Sequence, residues 1–319
     1  MAETRSVAVI GAGIMGAGLA VHLSLQGCSV TLVDHRQSNL DEATDRIRNS
    51  VEFLNDRSRP GEGTITSDEL IASIETTLDP DAGVAGADLV LETVSETLSV
   101  KQSVFESVAV AAPEDAILAS NTSGIPITEI ASAIPAAADR VVGCHWWNPP
   151  YLMPLVEVVR GQETSEETVA RTVSFVESVD RNPIVVERDV PGFVWNRIQF
   201  AVLRECMHIV EEGIASIEDV DAAVRDGYAL RTAVVGPFET VDLSGLDLFE
   251  TIAADLYPHL CDDDTPGDLF EEHVRAGRTG ADAGSGFYEY DRPVDVLLED
   301  RDRKIRGLLE ALDSDLSGS

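Results

Sequence analysis

The segment GCHWWNPP, residues 143–150, places a histidine beside two of the three tryptophans in the chain. The histidine, His145, has a side chain that titrates near neutral pH and therefore suits the removal of a proton from a hydroxyl group. Taken alone, the segment fits two interpretations. It is either a packed core turn that happens to contain His145 or the wall of a site in which His145 moves a proton.

A carboxylate in a later apolar segment favours the second interpretation. Glu157 lies in PLVEVV, where its neighbours are apolar. Because burying an unpaired carboxylate is costly, a cationic or hydrogen-bonding partner is expected. A bond to one ring nitrogen of His145 would fix the imidazole tautomer and stabilise the imidazolium, as the acid does in hydrolase triads. We therefore predict that His145 is a general base and that Glu157 orients it.

Three glycines near the N-terminus predict a phosphate site. Gly11, Gly13 and Gly16 form a GxGxxG motif directly after the apolar run SVAVI, at the start of a helix. In such a motif the first glycine permits a tight turn, the second lets a pyrophosphate approach the backbone, and the third packs the helix closely. The N-terminus of the helix, at Ile14 and Met15, would face the phosphate charge. The alternative is a glycine turn without a ligand.

Asp34 ends the second strand, SVTLVD, and predicts which dinucleotide binds. A carboxylate there accepts hydrogen bonds from the adenosine ribose, and its charge would repel a 2′-phosphate, so NAD is favoured over NADP. Arg36, just past this strand, favours NADP instead, because an arginine in this place can bind a 2′-phosphate.

These residues need a sheet to position them. Short strands alternate with helices as far as about Arg188, which predicts an α/β domain around a mostly parallel sheet. The strands after SVTLVD are ADLVLETV, AILASNTS, RVVGCHWWNP, VEVVRG and PIVVERD. Residues 39–76 have helical spacing interrupted by RPGEG, so we predict a helical hairpin inserted after the second strand.

After residue 188 the pattern becomes helical. One long helix is predicted over residues 193–212, shorter helices extend to about Arg275, and a final amphipathic helix covers 294–316. We therefore divide the chain into a NAD-binding domain, residues 1–188, a helical substrate and dimerisation domain, residues 189–291, and a C-terminal helical extension, residues 292–319.

The charge excludes several classes of function. The chain has 57 acidic and 23 basic residues and a formal net charge of −34, which argues against binding nucleic acid or anionic membrane. The acids are spread along the chain, as in proteins of a salt-rich cytoplasm. No signal peptide or membrane-spanning run is apparent, and a cytoplasmic location is expected.

The four cysteines are far apart and show no metal-binding spacing, so we expect neither a disulfide nor a metal. Cys144, beside His145, is interpreted as a buried structural thiol, with a nucleophile as the alternative.

At the level of motifs the chain resembles the L-3-hydroxyacyl-CoA dehydrogenase superfamily over residues 5–290. The resemblance rests on GAGIMGAGLA, ADLVLETVSE, ILASNTSGIPITEIA, GCHWWNPPYLMPLVEVV, DVPGFVWNRI, GPFETVDLSGLDLF and GSGFYEY. It implies a Rossmann domain with a helical-hairpin insertion, followed by an all-α domain that usually forms a homodimer, with the active site in the cleft between domains.

The resemblance also implies roles for four further residues. Ser123 and Asn196 would hydrogen-bond the reacting oxygen or the neighbouring carbonyl, although Ser123 could be only a turn residue and Asn196 only a helix cap. Asn148 would brace the histidine loop beside the cofactor. Glu92 would sit near the nicotinamide ribose. Our own hypothesis is that Trp146 and Trp147 form a hydrophobic wall that keeps water from the hydride path.

Two substrate classes remain open. Four arginines in the predicted hairpin would suit the 3′-phosphate of CoA: Arg46, Arg48, Arg57 and Arg59. Their spacing from nearby acids also suits ion pairs on a solvated helix face. The alternative substrate is a free 3-hydroxy acid, whose carboxylate Arg231 could bind, as in the lambda-crystallin and L-gulonate 3-dehydrogenase branch. The sequence favours reversible oxidation of a short-chain 3-hydroxyacyl-CoA. A non-catalytic structural role ranks far behind, because the motif residues are all present.

The net charge predicts that the protein depends on salt. With a net charge of −34, the protein should lose structure and activity when salt falls well below molar, because screening of self-repulsion is withdrawn. Thermal unfolding and turnover along a NaCl series would measure this. Sucrose of matched osmolality is the control and should not replace the salt. Full stability in dilute buffer would contradict the halophilic interpretation.

Overall fold

A computed structural model of the chain describes residues 5–56 and 65–316. The chain forms two compact units, one as far as Arg197 and one from Ile198 onward. The first unit contains the sheet and the sequence motifs around His145 and Gly11. The second unit is helical.

The first unit is built on one sheet of eight strands, in the order β3-β2-β1-β4-β5-β6-β7-β8. All neighbouring strands are parallel except β6 and β7, which are antiparallel. The strands are β1 Ser6–Ile10, β2 Ser29–Val33, β3 Ile74–Thr77, β4 Leu89–Glu92, β5 Ile117–Ser120, β6 Val141–Trp146, β7 Leu155–Val159 and β8 Asn182–Val186. The predicted mostly parallel Rossmann-type sheet is confirmed.

Helices accompany the sheet, and the unit has two buried apolar clusters. The helices are α1 Ile14–Leu25, α2 Gln37–Asn55, α3 Ser67–Ser73, α4 Pro80–Val84, α5 Leu98–Ala111, α6 Ile127–Ala131 and α7 Glu166–Ser178, with a 3₁₀ turn at Pro135–Arg140. Strands buried by helices on both faces read as near-continuous apolar runs, which explains LVL in β4 and VVGC in β6.

The helical part of the inserted hairpin ends earlier than predicted. Helices α2 and α3 form, and a reciprocal capping box between Thr66 and Glu69 starts α3. Residues 74–76 were predicted to be helical, but they belong to edge strand β3, which pairs with β2. Ile74 alone of this strand is buried, and one buried residue after Leu70 and Ile71 satisfies helical spacing equally well.

The second unit is helical, as predicted. Its elements are α8 Trp195–Glu211, α9 Ile217–Ala222, a π-helical turn Ala223–Ala229, α10 Leu230–Thr232, α11 Pro237–Ser244, α12 Leu246–Leu256, a 3₁₀ turn Tyr257–His259, α13 Asp268–Arg275, a 3₁₀ turn Ala281–Ala283 and α14 Val294–Leu316. In the described part after residue 186 the only β-structure is a pair of isolated bridges that share Ser285. No helix in the described ranges is both long enough and apolar enough to cross a bilayer.

Strand β6 separates its side chains between the two faces of the sheet. Cys144 and Trp146 enter an apolar cluster, where the indole N–H donates to the Cys144 sulfur at 3.1 Å. Burial raises the pKa of the Cys144 thiol to about 12, so this residue is a structural thiol and not a nucleophile. Trp146 also packs on His22, with ring centroids 5.6 Å apart. His145 lies between the two in sequence and therefore points to the opposite face.

Candidate active site

His145 and Glu157 form a buried pair across strands β6 and β7. They are direct partners in the antiparallel register, so their side chains emerge on the same face of the sheet. The His145 Nδ1 atom lies 2.7 Å from Glu157 Oε2. His145 is 4% exposed and Glu157 is fully buried. A carboxylate acceptor at Nδ1 holds the proton of a neutral imidazole there and leaves Nε2 as the free base.

The second oxygen of Glu157 is held by the backbone. The N–H groups of Val194 and Trp195 both donate to Oε1 at 3.0 Å. Burial alone would raise the pKa of Glu157, but the bonds from His145, Trp195 and Val194 outweigh burial and hold the pKa below its ordinary value. Glu157 is therefore ionised over the whole range in which His145 could act.

A sharp turn directs these two N–H groups at Glu157. Gly192 and Phe193 both have positive φ, at 77° and 50°. A left-handed conformation costs a residue other than glycine about 1–2 kcal/mol. The Phe193 ring is 1% exposed and packs on the His145 ring at an interplanar angle of 63°, with centroids 6.0 Å apart. The turn lies in the DVPGFVWNRI motif, but its backbone role cannot be inferred from residue types.

Aromatic side chains enclose one side of His145. Trp147 lies 4.7 Å from it between ring centroids, and Trp195 lies 4.7 Å from Trp147. The prediction that Trp146 and Trp147 form this wall is therefore wrong for Trp146. Trp146 is 2% exposed and belongs to the core, because strand alternation turns it away from His145. Its place in the wall is taken by Trp195, which lies far along the sequence.

Asn196 and Ser123, both predicted site residues, are joined by a hydrogen bond. The Asn196 side-chain amide donates to the Ser123 carbonyl at 2.7 Å, and the Ser123 N–H donates to Glu96 at 2.7 Å. The hydroxyl-bearing side chain of Ser123 is exposed. Asn196 thus ties the start of α8 to the loop after β5. Whether either side chain meets the reacting oxygen stays a prediction.

The environment of Glu92 is more enclosed than the sequence suggested. Glu92 is 1% exposed and binds Lys101 at 2.9 Å, Ser120 at 2.6 Å and the Val94 N–H at 2.6 Å. The neighbouring carboxylate of Glu96 is more accessible and also binds Lys101, at 3.2 Å. Sequence reasoning missed Lys101, a fully buried ammonium whose signal was that it is one of only two lysines in the chain.

Asn148 is exposed, and in the described ranges no hydrogen bond involves its side chain. Its predicted bracing of the histidine loop is therefore not seen. The loop is held instead through Pro150, whose carbonyl accepts bonds from Arg181 at 3.1 and 3.3 Å. Arg181 also donates to His22 at 3.0 Å. Burial, reinforced by the Arg181 charge, lowers the pKa of His22 to about 3, so His22 is a neutral structural group.

The glycine motif has the geometry that a dinucleotide needs. Gly11 turns the chain with φ of 107°. A Cβ on Gly16 would lie 1.8 Å from the Gly11 carbonyl oxygen, whereas a Cβ on Gly13 would meet nothing within 4 Å. No side chain caps the first turn of α1, so its N–H groups at Ile14 and Met15 remain available to a phosphate.

Asp34 lies beside this turn and shapes the nucleotide cavity. Its carboxylate accepts the N–H groups of Ala12 at 2.9 Å and Arg36 at 3.0 Å, so Arg36 approaches it through its backbone. A cavity of ≈ 690 Å³ adjoins Asp34, and its apolar lining suits an adenosine. That lining includes Val33, Leu78, Pro80, Val94, Val100 and Val104.

Of the arginines predicted to bind substrate, the structure describes Arg46, Arg48 and Arg231. Arg46 and Arg48 pair with Glu42 at 2.8 Å and with Asp45 at 3.1 Å, as in the solvated-face interpretation. Arg57 and Arg59 lie outside the described residues. Arg231 is exposed on the helical unit.

With this geometry established, the family relationship follows from both parts of the chain. Residues 6–190 match the family described as 3-hydroxyacyl-CoA dehydrogenase, NAD binding domain, and residues 192–290 match its C-terminal domain. A probable 3-hydroxybutyryl-CoA dehydrogenase of Deinococcus radiodurans is 36% identical over 283 residues, which cover 88% of this chain and 99% of the relative.

Relatives named for other substrates are similar over more of the chain. A 5-formyl-3-hydroxy-2-methylpyridine 4-carboxylate 5-dehydrogenase of Mesorhizobium japonicum is 34% identical over 310 residues, 96% of this chain and 98% of the relative. A solved structure of such an enzyme, described as an NAD⁺-dependent dismutase, has a TM-score of 0.87 at 34% identity and covers 97% of this chain and 99% of its own. An L-carnitine dehydrogenase of Streptomyces coelicolor is 32% identical and covers 97% of this chain and 95% of the relative. The chain therefore belongs to the 3-hydroxyacyl-CoA dehydrogenase family and is an NAD-dependent oxidoreductase acting on a small molecule.

Proposed function

We propose that this enzyme oxidises a hydroxyl-bearing carbon, with His145 as the general base. The single observation that carries this role is the fully buried Glu157 carboxylate at Nδ1 of His145, which leaves Nε2 to accept the hydroxyl proton. NAD supplies the hydride acceptor at the nicotinamide. The ionised Glu157 stabilises the imidazolium that results, and Trp147 and Trp195 exclude water from one side of it.

We propose that the enzyme selects substrates that carry a free carboxylate. Three observations support this preference over the thioester that the sequence alone favours. Arg46 and Arg48 are engaged in ion pairs on their own helix. A relative similar over 96% of the chain acts, by its name, on a pyridine carboxylate. Another acts on L-carnitine, which is a small 3-hydroxy acid. Arg231 is the proposed partner of the carboxylate, because guanidinium groups bind carboxylates bidentately.

The second candidate is the 3-hydroxyl of a short-chain acyl-CoA. It is favoured by the relative named 3-hydroxybutyryl-CoA dehydrogenase at 36% identity. In that case Arg57 and Arg59 are the proposed partners of the CoA 3′-phosphate.

We further propose that the enzyme is a cytoplasmic homodimer. The helical unit carries large exposed apolar side chains, including Phe238 at 87%, Leu243 at 74% and Val234 at 70% exposure. Apolar surface of this kind is typical of an interface that a second subunit covers.

The catalytic prediction concerns the buried pair. His145→Ala and Glu157→Gln should each lower turnover by at least about 10²-fold, the usual contribution of a general base, with little change in NAD affinity. In the glutamine variant, Oε1 still accepts the two backbone N–H groups while the amide N–H₂ faces Nδ1. The proton of His145 must then move to Nε2, which blocks the base.

Steady-state kinetics and NADH fluorescence would measure both effects. Cys144→Ala is the matched control from the adjacent strand position and should keep turnover close to wild type. Near-full turnover in either the His145 or the Glu157 variant would refute the assigned roles.

The cofactor prediction concerns Asp34. Asp34→Ala should weaken NAD binding and narrow the preference for NAD over NADP, because both the ribose acceptor and the repulsive charge are lost. Asp34→Asn keeps a hydrogen-bond acceptor for Ala12 and should narrow the preference with less damage to the turn. Cofactor dissociation constants would show this. A wild-type enzyme that prefers NADP would contradict the assignment and indicate Arg36 instead.

The substrate prediction separates the two candidates. Free 3-hydroxy acids should be oxidised more efficiently than 3-hydroxybutyryl-CoA and its pantetheine analogue, which lacks the 3′-phosphate. Arg231→Met should raise KM for the acids sharply, whereas Arg225→Met, at an exposed arginine already paired with Asp226, should not. An enzyme that ignores every free acid, oxidises the CoA ester and loses that activity when Arg57 and Arg59 are replaced would establish the second candidate.

A further inference from the structure

The helical unit brings together three side chains that the dehydrogenase chemistry does not use. His208 lies near the end of α8, and Cys261 and Asp263 follow the 3₁₀ turn after α12. One ligand atom from each residue lies within 4.8 Å of the other two. We propose that His208, Cys261 and Asp263 form a binding site for a divalent cation of the zinc class.

The separation of two of the atoms already fits a shared zinc ion. The Cys261 thiol donates a hydrogen bond to Asp263 Oδ2, with 3.4 Å between sulfur and oxygen. Zinc–sulfur and zinc–oxygen bonds of about 2.3 Å and 2.0–2.2 Å at a tetrahedral angle place the two ligand atoms about 3.5 Å apart. The loop therefore holds this pair at the required spacing without rearrangement. A water molecule would complete the tetrahedron on the exposed side of Asp263.

Two side chains of α8 fix the loop that carries these ligands. Glu205 accepts the backbone N–H of Cys261 at 2.8 Å, and Arg204 donates to the backbone carbonyl of Asp263 at 3.2 Å. Both lie three or four residues before His208 and so share its face of the helix. These contacts use the loop backbone and leave the thiol and the carboxylate bonded to each other, and a cation that displaced the thiol proton would take both as ligands. Such support from outside the ligand shell is usual at metal sites.

The donor set indicates which cations would bind. Imidazole and thiolate ligands select zinc and similar transition metals, whereas magnesium and calcium prefer oxygen ligands. His208 and Cys261 are half-buried, which distinguishes them from the many exposed acids of this chain. Binding would transfer the Cys261 thiol proton to solvent, because the thiolate is the ligand. The bound cation would fasten the segment after α12 to α8 and stabilise the helical unit.

The experiment is a titration of the chelator-treated, untagged full chain with Zn²⁺, followed by calorimetry and thermal unfolding in one fixed salt. The wild type should bind one tight equivalent and unfold at a higher temperature when loaded. Cys261→Ser and Asp263→Asn should weaken that equivalent by more than the roughly 10–100-fold typical of changes outside the ligand shell. The matched controls Cys206→Ser and Asp262→Asn should leave it unchanged.

Cobalt provides a test that needs no variant. Wild-type protein loaded with Co²⁺ should show the near-ultraviolet charge-transfer band of a thiolate ligand. Absence of that band, absence of a tight equivalent, or equal weakening by Asp262→Asn and Asp263→Asn would overturn the proposal, since acidic surface alone would then account for any binding. These readouts do not depend on turnover, so the proposal stands or falls separately from the dehydrogenase assignment.

Discussion

The Glu157 carboxylate is completely buried, and the arrangement of the active site depends on how its charge is satisfied. An ionised carboxylate without partners would be too costly to bury and would take up a proton instead. Here three hydrogen bonds from His145, Val194 and Trp195 keep it charged. The charge in turn fixes the His145 tautomer. Loss of any one bond would therefore affect both the stability of the unit and the basicity of Nε2.

The antiparallel pairing of β6 and β7 makes this contact possible. Had β7 run parallel to β6, like the other neighbouring strands, a longer crossover would be needed between them. The short connection after Trp146 returns the chain at once, and the register then places Glu157 directly opposite His145. The aromatic rings of Phe193 and Trp147 pack around the imidazole, so the same pair is held both by polar bonds and by close packing.

The residues proposed to bind the cofactor lie along the parallel part of the sheet. The carboxyl ends of β1, β2, β4 and β5 lie along one edge, where open α/β sheets bind their ligands. Gly11 and Asp34 come directly after the first two of these strands, and Glu92 and Ser120 end the other two. Strand order therefore brings residues from distant parts of the chain to one edge, where Ser120 also bonds Glu92.

Features that depend on local pattern were predictable from the order of residues. Apolar runs, helical spacing and the GxGxxG motif predicted the parallel sheet, the helical second part and the NAD site, because these follow from backbone periodicity and glycine geometry. His145 and Glu157 were also predictable, since a carboxylate within an apolar strand requires a partner. The boundary of the inserted hairpin was not predictable, because one buried residue at Ile74 satisfies helix and strand periodicity alike.

Which distant groups meet depends on packing and strand register. Strand alternation sent Trp146 into the core, and the left-handed turn at Phe193 brought Trp195 to the wall and two backbone N–H groups to Glu157. Lys101 could be recognised as a buried partner of Glu92 only after α5 had packed on the sheet. The spacing of the cysteines predicted no metal, whereas the packing of the loop after α12 on α8 places Cys261 beside His208 and Asp263. Packing and strand register determine the contacts between separate elements, and local residue patterns do not predict those contacts.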